Sequence, residues 1–309
     1  MSPFRFSDTN KRYHTYSYYL KHKYGAKVAK IPLDAGFTCP NRDGKIAYGG
    51  CAFCSGKGSG DTVIGGKDVR SQFEAGLARA RHKWPGCEAI AYFQAYSNTY
   101  GSLDRLKEVI GPVFAWDDIV EVAIATRPDC LDEEKIAWLA RMNEKKEVWV
   151  ELGLQSASDR TMAALSRGHT TACLVDCVNK LKGAGLKVCL HIINGLPQDS
   201  YQDMMATADL AARLRPDSLK IHMLHVIEGS RLGAQYKALP FPLLSMEEYV
   251  RVVCDQLERL PEEVVIERIT GDAVREDLIA PLWTLKKTVT ANEIDKELVR
   301  RNSWQGKEA

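Results

Sequence analysis

Hydrophobic positions along the chain fall into short runs that alternate with longer amphipathic stretches. Six of the runs are apolar at nearly every position, which is typical of strands buried on both faces of a parallel sheet. We predict strands at Lys27–Ala35, Ala89–Tyr96, Ile119–Thr126, Glu147–Gln155, Lys187–Ile193 and Ser218–Leu224. A segment of helical length follows each run, so we expect an α/β protein built from repeated strand–helix units.

The amphipathic stretches carry apolar residues at helical spacing. We predict helices at Lys67–His82, Leu103–Phe114, Glu133–Asn143, Asp159–Ser166, Thr171–Ala184 and Tyr201–Leu214. Pro240 and Pro242 mark a break after about residue 236. Beyond it we predict a helix at Met246–Arg259, a short strand at Val264–Ile269 and helical segments up to a basic tail.

This pattern divides the chain into three expected parts. They are a basic, tyrosine-rich N-terminal extension (1–26), a strand–helix domain (27–235) and a C-terminal extension (236–309). An open doubly wound sheet and a barrel both fit the strand–helix domain, because strand order does not follow from the pattern. Several polar residues stand in or just after the C-terminal halves of different strands, namely Gln94, Asn98, Arg127, Glu151, Gln155 and Asn194. A barrel gathers such positions at one mouth, which favours a partial (β/α)6 TIM-like barrel.

Composition limits the classes of protein that fit. Of the 309 residues, 45% are hydrophobic and 27% are charged, as in ordinary globular proteins. No apolar run approaches the roughly 20 residues of a membrane span, and the N-terminus has no secretory signal. We therefore expect no membrane association and a cytoplasmic location. The net charge of +2 gives no global field that would attract nucleic acid.

Three of the nine cysteines stand in one loop after the first predicted strand. Cys39, Cys51 and Cys54 are separated by gaps of eleven and two residues, with glycines on both sides of the last pair. Three thiolates can hold three corners of a [4Fe-4S] cluster and leave one iron open for a cofactor. The alternatives are a zinc site, which normally closes with four protein ligands, and three unrelated free thiols.

The loop resembles that of the radical S-adenosylmethionine (SAM) enzymes, in which an aromatic residue also precedes the last cysteine. The long first gap is similar to that in the radical SAM half of the Elongator catalytic subunit. GFTCPNRDG…GGCAFCS…GSGD is similar to the bacterial YhcC/YtqA-type members, and the resemblance extends over nearly the whole chain. It implies a radical SAM barrel, one [4Fe-4S] cluster and reductive cleavage of SAM to a 5′-deoxyadenosyl radical. It also implies an electron donor such as flavodoxin or ferredoxin.

The resemblance implies roles for individual residues around SAM. Phe53 matches the aromatic residue that lies beside the adenine. Gln155, in ELGLQS, matches a glutamine that faces the ribose, and Arg167 stands twelve residues later, where related enzymes carry an arginine that meets the SAM carboxylate. Bidentate pairing with a carboxylate suits the planar guanidinium. Asn194 and Gly195 match the turn whose backbone contacts the adenine.

Two further SAM contacts depart from the pattern of the superfamily. The turn after the second strand has no glycines, so the amino group of SAM would meet backbone or the side chains of Gln94, Ser97, Asn98 and Thr99. The third strand carries Ala125 where related enzymes have a glutamate, and Thr126 or Arg127 could replace it. Glu151 could meet the amino group or face the barrel interior.

Other candidate residues concern the substrate. His191, His222 and His225 alternate with apolar residues on the fifth and sixth strands or just beyond, and could face a substrate or simply fill the core. Cys130, directly after the third strand, is our candidate for a catalytic thiol, with plain burial as its alternative.

The N-terminal extension suggests a partner. Five tyrosines are interleaved with seven cations in the first 30 residues: Arg5, Lys11, Arg12, Lys21, Lys23, Lys27 and Lys30. Cations and stacking aromatics are typical of surfaces that bind single-stranded RNA, so RNA (tRNA or rRNA) is our leading substrate class. Alternatively, the segment forms an amphipathic helix that packs its tyrosines on the barrel wall. The competing functions are a radical SAM enzyme acting on a porphyrin-type small molecule and a non-catalytic iron–sulfur protein.

Overall fold

The computed structural model describes residues 4–56, 58, 60, 63 and 68–309. The strands are β1 (Val28–Leu33), β2 (Glu88–Phe93), β3 (Ile119–Thr126), β4 (Glu147–Gln155), β5 (Lys187–Asn194), β6 (Ser218–Met223), β7 (Val226–Ile227), β8 (Val265–Arg268) and β9 (Leu278–Ala280). The helices are α1 (Tyr16–Tyr24), α2 (Val69–Lys83), α3 (Leu103–Ile110), α4 (Glu133–Asn143), α5 (Asp159–Ala164), α6 (Thr171–Gly183), α7 (Tyr201–Leu214), α8 (Arg231–Ala238), α9 (Met246–Arg259) and α10 (Lys287–Arg300).

Seven strands form one parallel sheet in the order β1-β2-β3-β4-β5-β6-β8, and β7 pairs with β9 in a separate antiparallel ribbon. Strands β1 to β6 are neighbours in chain order, which did not follow from the sequence pattern, and helices connect them as predicted. The sheet curls into a partial barrel. Side chains of its two edge strands meet across the interior, where Lys30 Nζ lies 2.9 Å from Glu267 Oε2. The predicted α/β partial barrel is therefore confirmed. Its seventh strand, β8, comes from the segment that we assigned to the C-terminal extension.

Successive side chains of a strand point alternately to the surrounding helices and to the barrel interior. On β4, Val148, Val150, Leu152 and Leu154 are buried against the surrounding helices. Burial of one such side chain contributes about 1.5–3 kcal/mol. The intervening residues, which include Glu151 and Gly153, face the barrel interior. This is why an apolar run can also carry the polar residues of a site.

Helix α1 closes the N-terminal end of the barrel. Leu20 and the tyrosines Tyr16, Tyr19 and Tyr24 pack against interior side chains of the sheet, among them Trp149. The side chain of Thr15 caps the helix by accepting from the N–H of Tyr18, and Gly25 (φ 67°) ends it. The tyrosines therefore occupy the packing role that we considered as the alternative to an RNA surface.

Most predicted elements agree with the structure, and the differences have local causes. The helix predicted to reach Phe114 ends at Ile110 and continues as a 3-10 turn, because Pro112 lacks the N–H that an α-helix needs. The second strand ends at Phe93 because Tyr96 takes a left-handed conformation (φ 62°). The helix predicted from Lys67 begins at Val69, and Lys67 lies outside the described residues. None of the helices in the described part of the chain combines the length and apolar composition needed to cross a bilayer.

Candidate functional site

A cavity of about 370 Å³ lies at the carboxyl ends of the strands. Cys39, Cys51 and Cys54 contribute to its wall, and so do His191, His222 and His225. Other residues with predicted roles line the same cavity: Phe53, Gln94, Ser97, Glu151, Gln155 and Arg167. Its volume lies within the range of small-molecule sites. Side chains that are distant in sequence therefore share one cavity, as expected at a barrel mouth.

The eleven-residue gap after Cys39 forms a small hairpin. Asp43 and Tyr48 form an antiparallel bridge, and the N–H of Gly50 donates to the carbonyl oxygen of Asn41 at 2.8 Å. Gly49 and Gly50 both have positive φ angles (79° and 88°), which glycine adopts without strain. The extra residues are thus accommodated in the hairpin, and the cysteines at both of its ends reach the cavity wall.

Donors converge on the sulfur of Cys51, which is 3% exposed. Asn41 Nδ2 lies 3.2 Å from the sulfur and Arg167 Nη1 lies 3.8 Å from it. The pKa of Cys51 is well below its usual range because the Cys54 thiol donates to its sulfur and because Arg167 and Arg127 are close. A thiolate is the form that binds a metal, so this environment favours ligation.

The cysteine loop fits an iron–sulfur cluster better than a single zinc ion. Zinc holds its thiolates at about 2.3 Å, which places their sulfurs roughly 4 Å apart. Within the described residues, the three-residue group whose potential ligand atoms all lie within 4.8 Å of one another is Glu151, Cys189 and His191, not the loop cysteines. Three cysteines can bind three irons of a cluster and leave the fourth open, whereas a structural zinc ion normally needs a fourth protein ligand. Glu151 already accepts hydrogen bonds from two ammonium groups, which disfavours a cation at that group.

Gly153 brings Gln155 and Arg167 together. A Cβ atom at Gly153 would lie 2.3 Å from Gln155 Nε2 and 2.6 Å from Arg167 Nη2, so both side chains lie against its Cα. Arg167 Nη2 donates to the carbonyl oxygen of Gly153 at 3.0 Å. Gln155 has a positive φ of 64°, which is uncommon for a side-chain-bearing residue and typical of strained functional sites.

Arg127 holds the backbone of Arg167 in place. Its guanidinium pairs with both carboxylate oxygens of Asp129, at 2.9 and 2.7 Å, and Nη1 donates to the carbonyl oxygen of Arg167 at 2.7 Å. Arg127 is 2% exposed and is among the largest fully buried side chains. Two buried arginines are therefore held next to Cys51, and Asp129 compensates one of them.

A network of charges forms the floor of the cavity. Glu151 accepts from Lys30 through Oε1 and from Lys220 through Oε2, and His191 Nε2 lies 2.8 Å from Oε2. Burial alone would raise the pKa of Glu151, but Lys220 and Lys30 hold it well below its usual range. Burial and the adjacent Lys220 lower the pKa of His191, so its imidazole is neutral near pH 7. Tyr92 lies beneath this charge network and separates the cavity from helix α1.

Four residues with predicted SAM contacts have partners within the protein. Asn98 Nδ2 donates to the carbonyl oxygens of Phe93 and Ala125 at 3.0 and 2.9 Å, which joins the ends of β2 and β3. Thr99 Oγ1 lies 2.6 Å from Thr126 Oγ1. Asn194 exchanges two side-chain hydrogen bonds with Gln256 of α9, and Gly195 (φ 88°) packs against Leu244. These residues lie behind the cavity wall and shape it.

Cys130, our candidate catalytic thiol, also lies behind the wall. It ends the 3-10 turn Pro128–Cys130 and is 6% exposed. Burial raises its pKa to about 12, so it is a thiol at neutral pH. Its position favours the packing alternative.

The sequence patterns missed several residues of the site. Lys30, Lys220 and Glu267 stand in apolar strands and meet only in the folded barrel. Asn41 carried no signal beyond its place after Cys39 and Pro40. The unusual polarity of strand positions 30, 220 and 267 could have indicated interior charges, whereas nothing in the sequence indicated the contact between Asn41 and Cys51.

Six of the seven N-terminal cations have carboxylate or carbonyl partners within the protein, and Lys27 lies over the ring of Trp84. Lys23 bridges Glu121 and Glu147, and Lys21 pairs with Asp8. The other contacts are Arg5 with Glu262, Lys11 with Asp295, Arg12 with the carbonyl oxygen of Ser303, and Lys30 with Glu151 and Glu267. These contacts favour the alternative in which the N-terminal segment packs on the barrel.

Comparison with known proteins agrees with this architecture. The model of the radical SAM superfamily matches residues 39–211, and that of the Radical_SAM C-terminal domain matches 216–300. YtqA of Bacillus subtilis is 46% identical over 308 residues, which cover 99% of this chain and 95% of YtqA. YhcC of Escherichia coli is 33% identical over 282 residues, 90% of each chain.

Two further proteins are similar to this chain over part of their length. The tRNA uridine(34) acetyltransferase of Methanocaldococcus infernus is 29% identical over 160 residues, 50% of this chain and 29% of that protein. Among solved structures, Elp3 of M. infernus superposes with a TM-score of 0.69 at 19% identity, over 91% of this chain and 64% of that one. This second likeness establishes the fold. The cysteine loop, the barrel and the family matches together identify the chain as a member of the radical SAM superfamily, an enzyme whose cofactors are a [4Fe-4S] cluster and SAM.

Proposed function

We propose that this radical SAM enzyme modifies an RNA nucleoside, with tRNA or rRNA as the substrate class. The observation that carries the proposal is an excess of cations in the cavity wall. In the described part of the chain, the wall contains five cations and three carboxylates: Arg42, Arg127, Arg167, Lys220 and Arg268 against Glu151, Asp272 and Asp277. Three of these cations pair with carboxylates, namely Arg127 with Asp129, Lys220 with Glu151 and Arg268 with Asp272, so the excess comes from Arg42 and Arg167. A cleft of one predominant sign attracts ligands of the opposite sign, and RNA is a polyanion.

The sequence similarity supports RNA over other anions. The shared 160 residues belong to a protein whose name gives uridine 34 of tRNA as its site of action. Half of this chain takes part in the match, so the proposal extends to the substrate class and not to acetyl transfer.

We assign SAM and the nucleoside to different parts of the cavity wall. When bound, the cluster and SAM supply an electron and a 5′-deoxyadenosyl radical, which removes a hydrogen atom from the substrate. SAM would be held by Phe53 in the cysteine loop, Gln155 at the end of β4 and Arg167, which contacts β4. His222, His225 and Arg268 line the remaining wall, where they would meet the nucleoside. The buried ion pairs of Glu151 keep the floor rigid between these parts.

Nucleoside mass spectrometry tests the substrate class. Total RNA from a deletion strain would be compared with RNA from strains complemented by the wild type or by Cys51→Ala. A modified nucleoside present with the wild type and missing from both other strains supports the proposal. Anaerobic reaction of the purified enzyme with RNA from the deletion strain, SAM and a reductant should restore that nucleoside. If every nucleoside is unchanged, the small-molecule alternative becomes the leading hypothesis.

A salt titration of RNA binding tests the role of the cavity cations. Arg268→Gln should reduce the slope of log K against log salt by about 0.7 for a lost contact with single-stranded RNA. Arg213→Gln is the matched control, because Arg213 is exposed on α7 and does not contribute to the cavity wall. If the wild type and both variants have equal slopes, the cavity cations do not contact RNA and no longer support an RNA substrate.

A further inference from the structure

We propose that Asn41 is a positioning residue that couples the sulfur of Cys51 to the backbone segment carrying Arg167. Its side-chain Nδ2 lies 3.2 Å from Cys51 Sγ, 2.7 Å from the carbonyl oxygen of Ser166 and 2.9 Å from that of Arg167. One amide group thus contacts both a cluster ligand and the segment that presents the arginine. The inference concerns the radical SAM centre and does not depend on the proposed RNA substrate.

The contacts fix the orientation of the amide. The three neighbours of Nδ2 are acceptors, and two amide hydrogens are shared among them. The reversed orientation would place Oδ1 against two carbonyl oxygens and a thiolate, which is electrostatically unfavourable. Asn41 is 0% exposed, so water does not compete for these bonds. The donor position is therefore determined by the packing around it.

The glycine after Arg167 makes room for this contact. A Cβ atom at Gly168 would lie 2.6 Å from Asn41 Oδ1, and Gly168 has a φ of 83°. Ser166, on the other side of Arg167, also has a positive φ, of 53°. The backbone thus turns sharply around Arg167 and brings two successive carbonyl oxygens to one side-chain amide.

Two consequences follow from these contacts. An N–H donor to a cluster-ligating sulfur withdraws charge from it and raises the reduction potential of the cluster. The same amide also fixes the main chain of Arg167, and hence the direction of its guanidinium towards the cavity. Loss of the amide should therefore change two properties that a purely structural residue would leave alone.

The test is a pair of measurements on anaerobically reconstituted protein, normalised to iron content. Potentiometric titration of Asn41→Ala, followed by EPR, should give a midpoint potential more negative than that of the wild type. SAM should bind several-fold more weakly to the same variant. Asn41→Asp keeps the shape but replaces the donor with an acceptor, so its potential should fall further than that of Asn41→Ala.

Gln305→Ala is the matched control. Gln305 is also 0% exposed, and its Nε2 donates to two backbone carbonyl oxygens, of Pro261 and Val264, at 2.7 and 2.8 Å. It does not contribute to the cavity wall. This variant should lose stability while keeping the wild-type potential and SAM affinity. If Asn41→Ala behaves like Gln305→Ala, the inference is wrong.

A measurement on the wild-type protein covers the case in which the Asn41 variants fail to fold. Protein labelled with ¹⁵N at the side-chain amide of asparagine would be reduced and examined by pulsed EPR. A hydrogen bond from Asn41 to the ligating sulfur should give a ¹⁵N hyperfine coupling to the cluster. No such coupling in fully loaded protein would overturn the proposal without any substitution.

Discussion

Arg167 and Gly153 are joined by a hydrogen bond of 3.0 Å from the guanidinium Nη2 to the backbone carbonyl oxygen. This bond ties the loop after α5 to the end of β4, although the two residues belong to different elements. Gln155 lies against the same glycine. The geometry around Gly153 therefore controls two of the side chains expected to hold SAM.

Gly153→Ala should weaken SAM binding without preventing cluster assembly. The added methyl group would come within 2.3 Å of Gln155 Nε2 and 2.6 Å of Arg167 Nη2, so both side chains must move. SAM affinity and iron content are the measurements. Gly183→Ala is the control, because a Cβ at Gly183 in α6 meets no atom within 4 Å. Unchanged SAM affinity in Gly153→Ala would show that these side chains do not hold SAM.

Arg167→Ala should weaken SAM binding by about 1.5–3 kcal/mol, the loss expected for a charged hydrogen bond. The cluster should still assemble, because three cysteines remain. The exposed Arg160, on α5, provides the control Arg160→Ala. Isothermal titration with SAM would compare the two variants, and equal affinities would reject the assignment of Arg167 to the SAM carboxylate.

Replacement of Cys39, Cys51 or Cys54 by alanine should abolish the cluster. The reconstituted wild type should contain about four iron and four sulfide per chain, as expected for one [4Fe-4S] cluster. Cys254→Ala is the control, because this thiol is buried in α9 and burial raises its pKa to about 12. Stoichiometric zinc without sulfide in the wild type would contradict the expected centre.

Local signals in the sequence predicted most of the fold. The bounds of β3, β4, α4, α7 and α9 agree with the prediction, because apolar spacing and capping residues act over a few positions. Helix α1 agrees with the alternative that we considered for the N-terminal segment, an amphipathic helix that packs its tyrosines on the barrel wall, although its bounds were not predicted. The cysteine loop was found because its ligands are close in sequence. By contrast, Lys30 lies 121 residues from Glu151, so a pattern along the chain could not reveal their pairing.

Glu151→Gln should destabilise the protein by about 3–5 kcal/mol, because it leaves the buried Lys30 and Lys220 without their shared carboxylate. Chemical denaturation would measure the loss. Combining Glu151→Gln with Lys220→Met should recover part of it, because Glu267 would then face only one buried cation, Lys30, instead of two. Glu144→Gln, at an exposed glutamate, should be nearly neutral. If both glutamate variants have the same small effect, the network does not stabilise the floor.

His225 should make stability depend on pH. Burial lowers its pKa to about 4, although the nearby Asp272 opposes the shift. The unfolded chain, with a pKa of about 6.5, binds the proton more readily, so the contribution of this group is fully present above pH 6.5. This contribution to the free energy of unfolding is at most about 3 kcal/mol, and it is lost as the pH falls towards about 4. The neighbouring His222, whose pKa burial also lowers, adds a loss of the same sign.

The contribution of His225 is isolated by the difference between wild type and His225→Gln. Urea unfolding of the metal-free protein at several values between pH 7 and pH 5 should show a steeper loss of stability for the wild type. His82→Gln, at an exposed position on α2, should follow the wild-type profile. Parallel profiles for wild type and His225→Gln would mean that folding leaves the pKa of the His225 imidazole unchanged. In that case the attraction of Asp272, on the loop after β8, would offset the effect of burial on the pKa of His225.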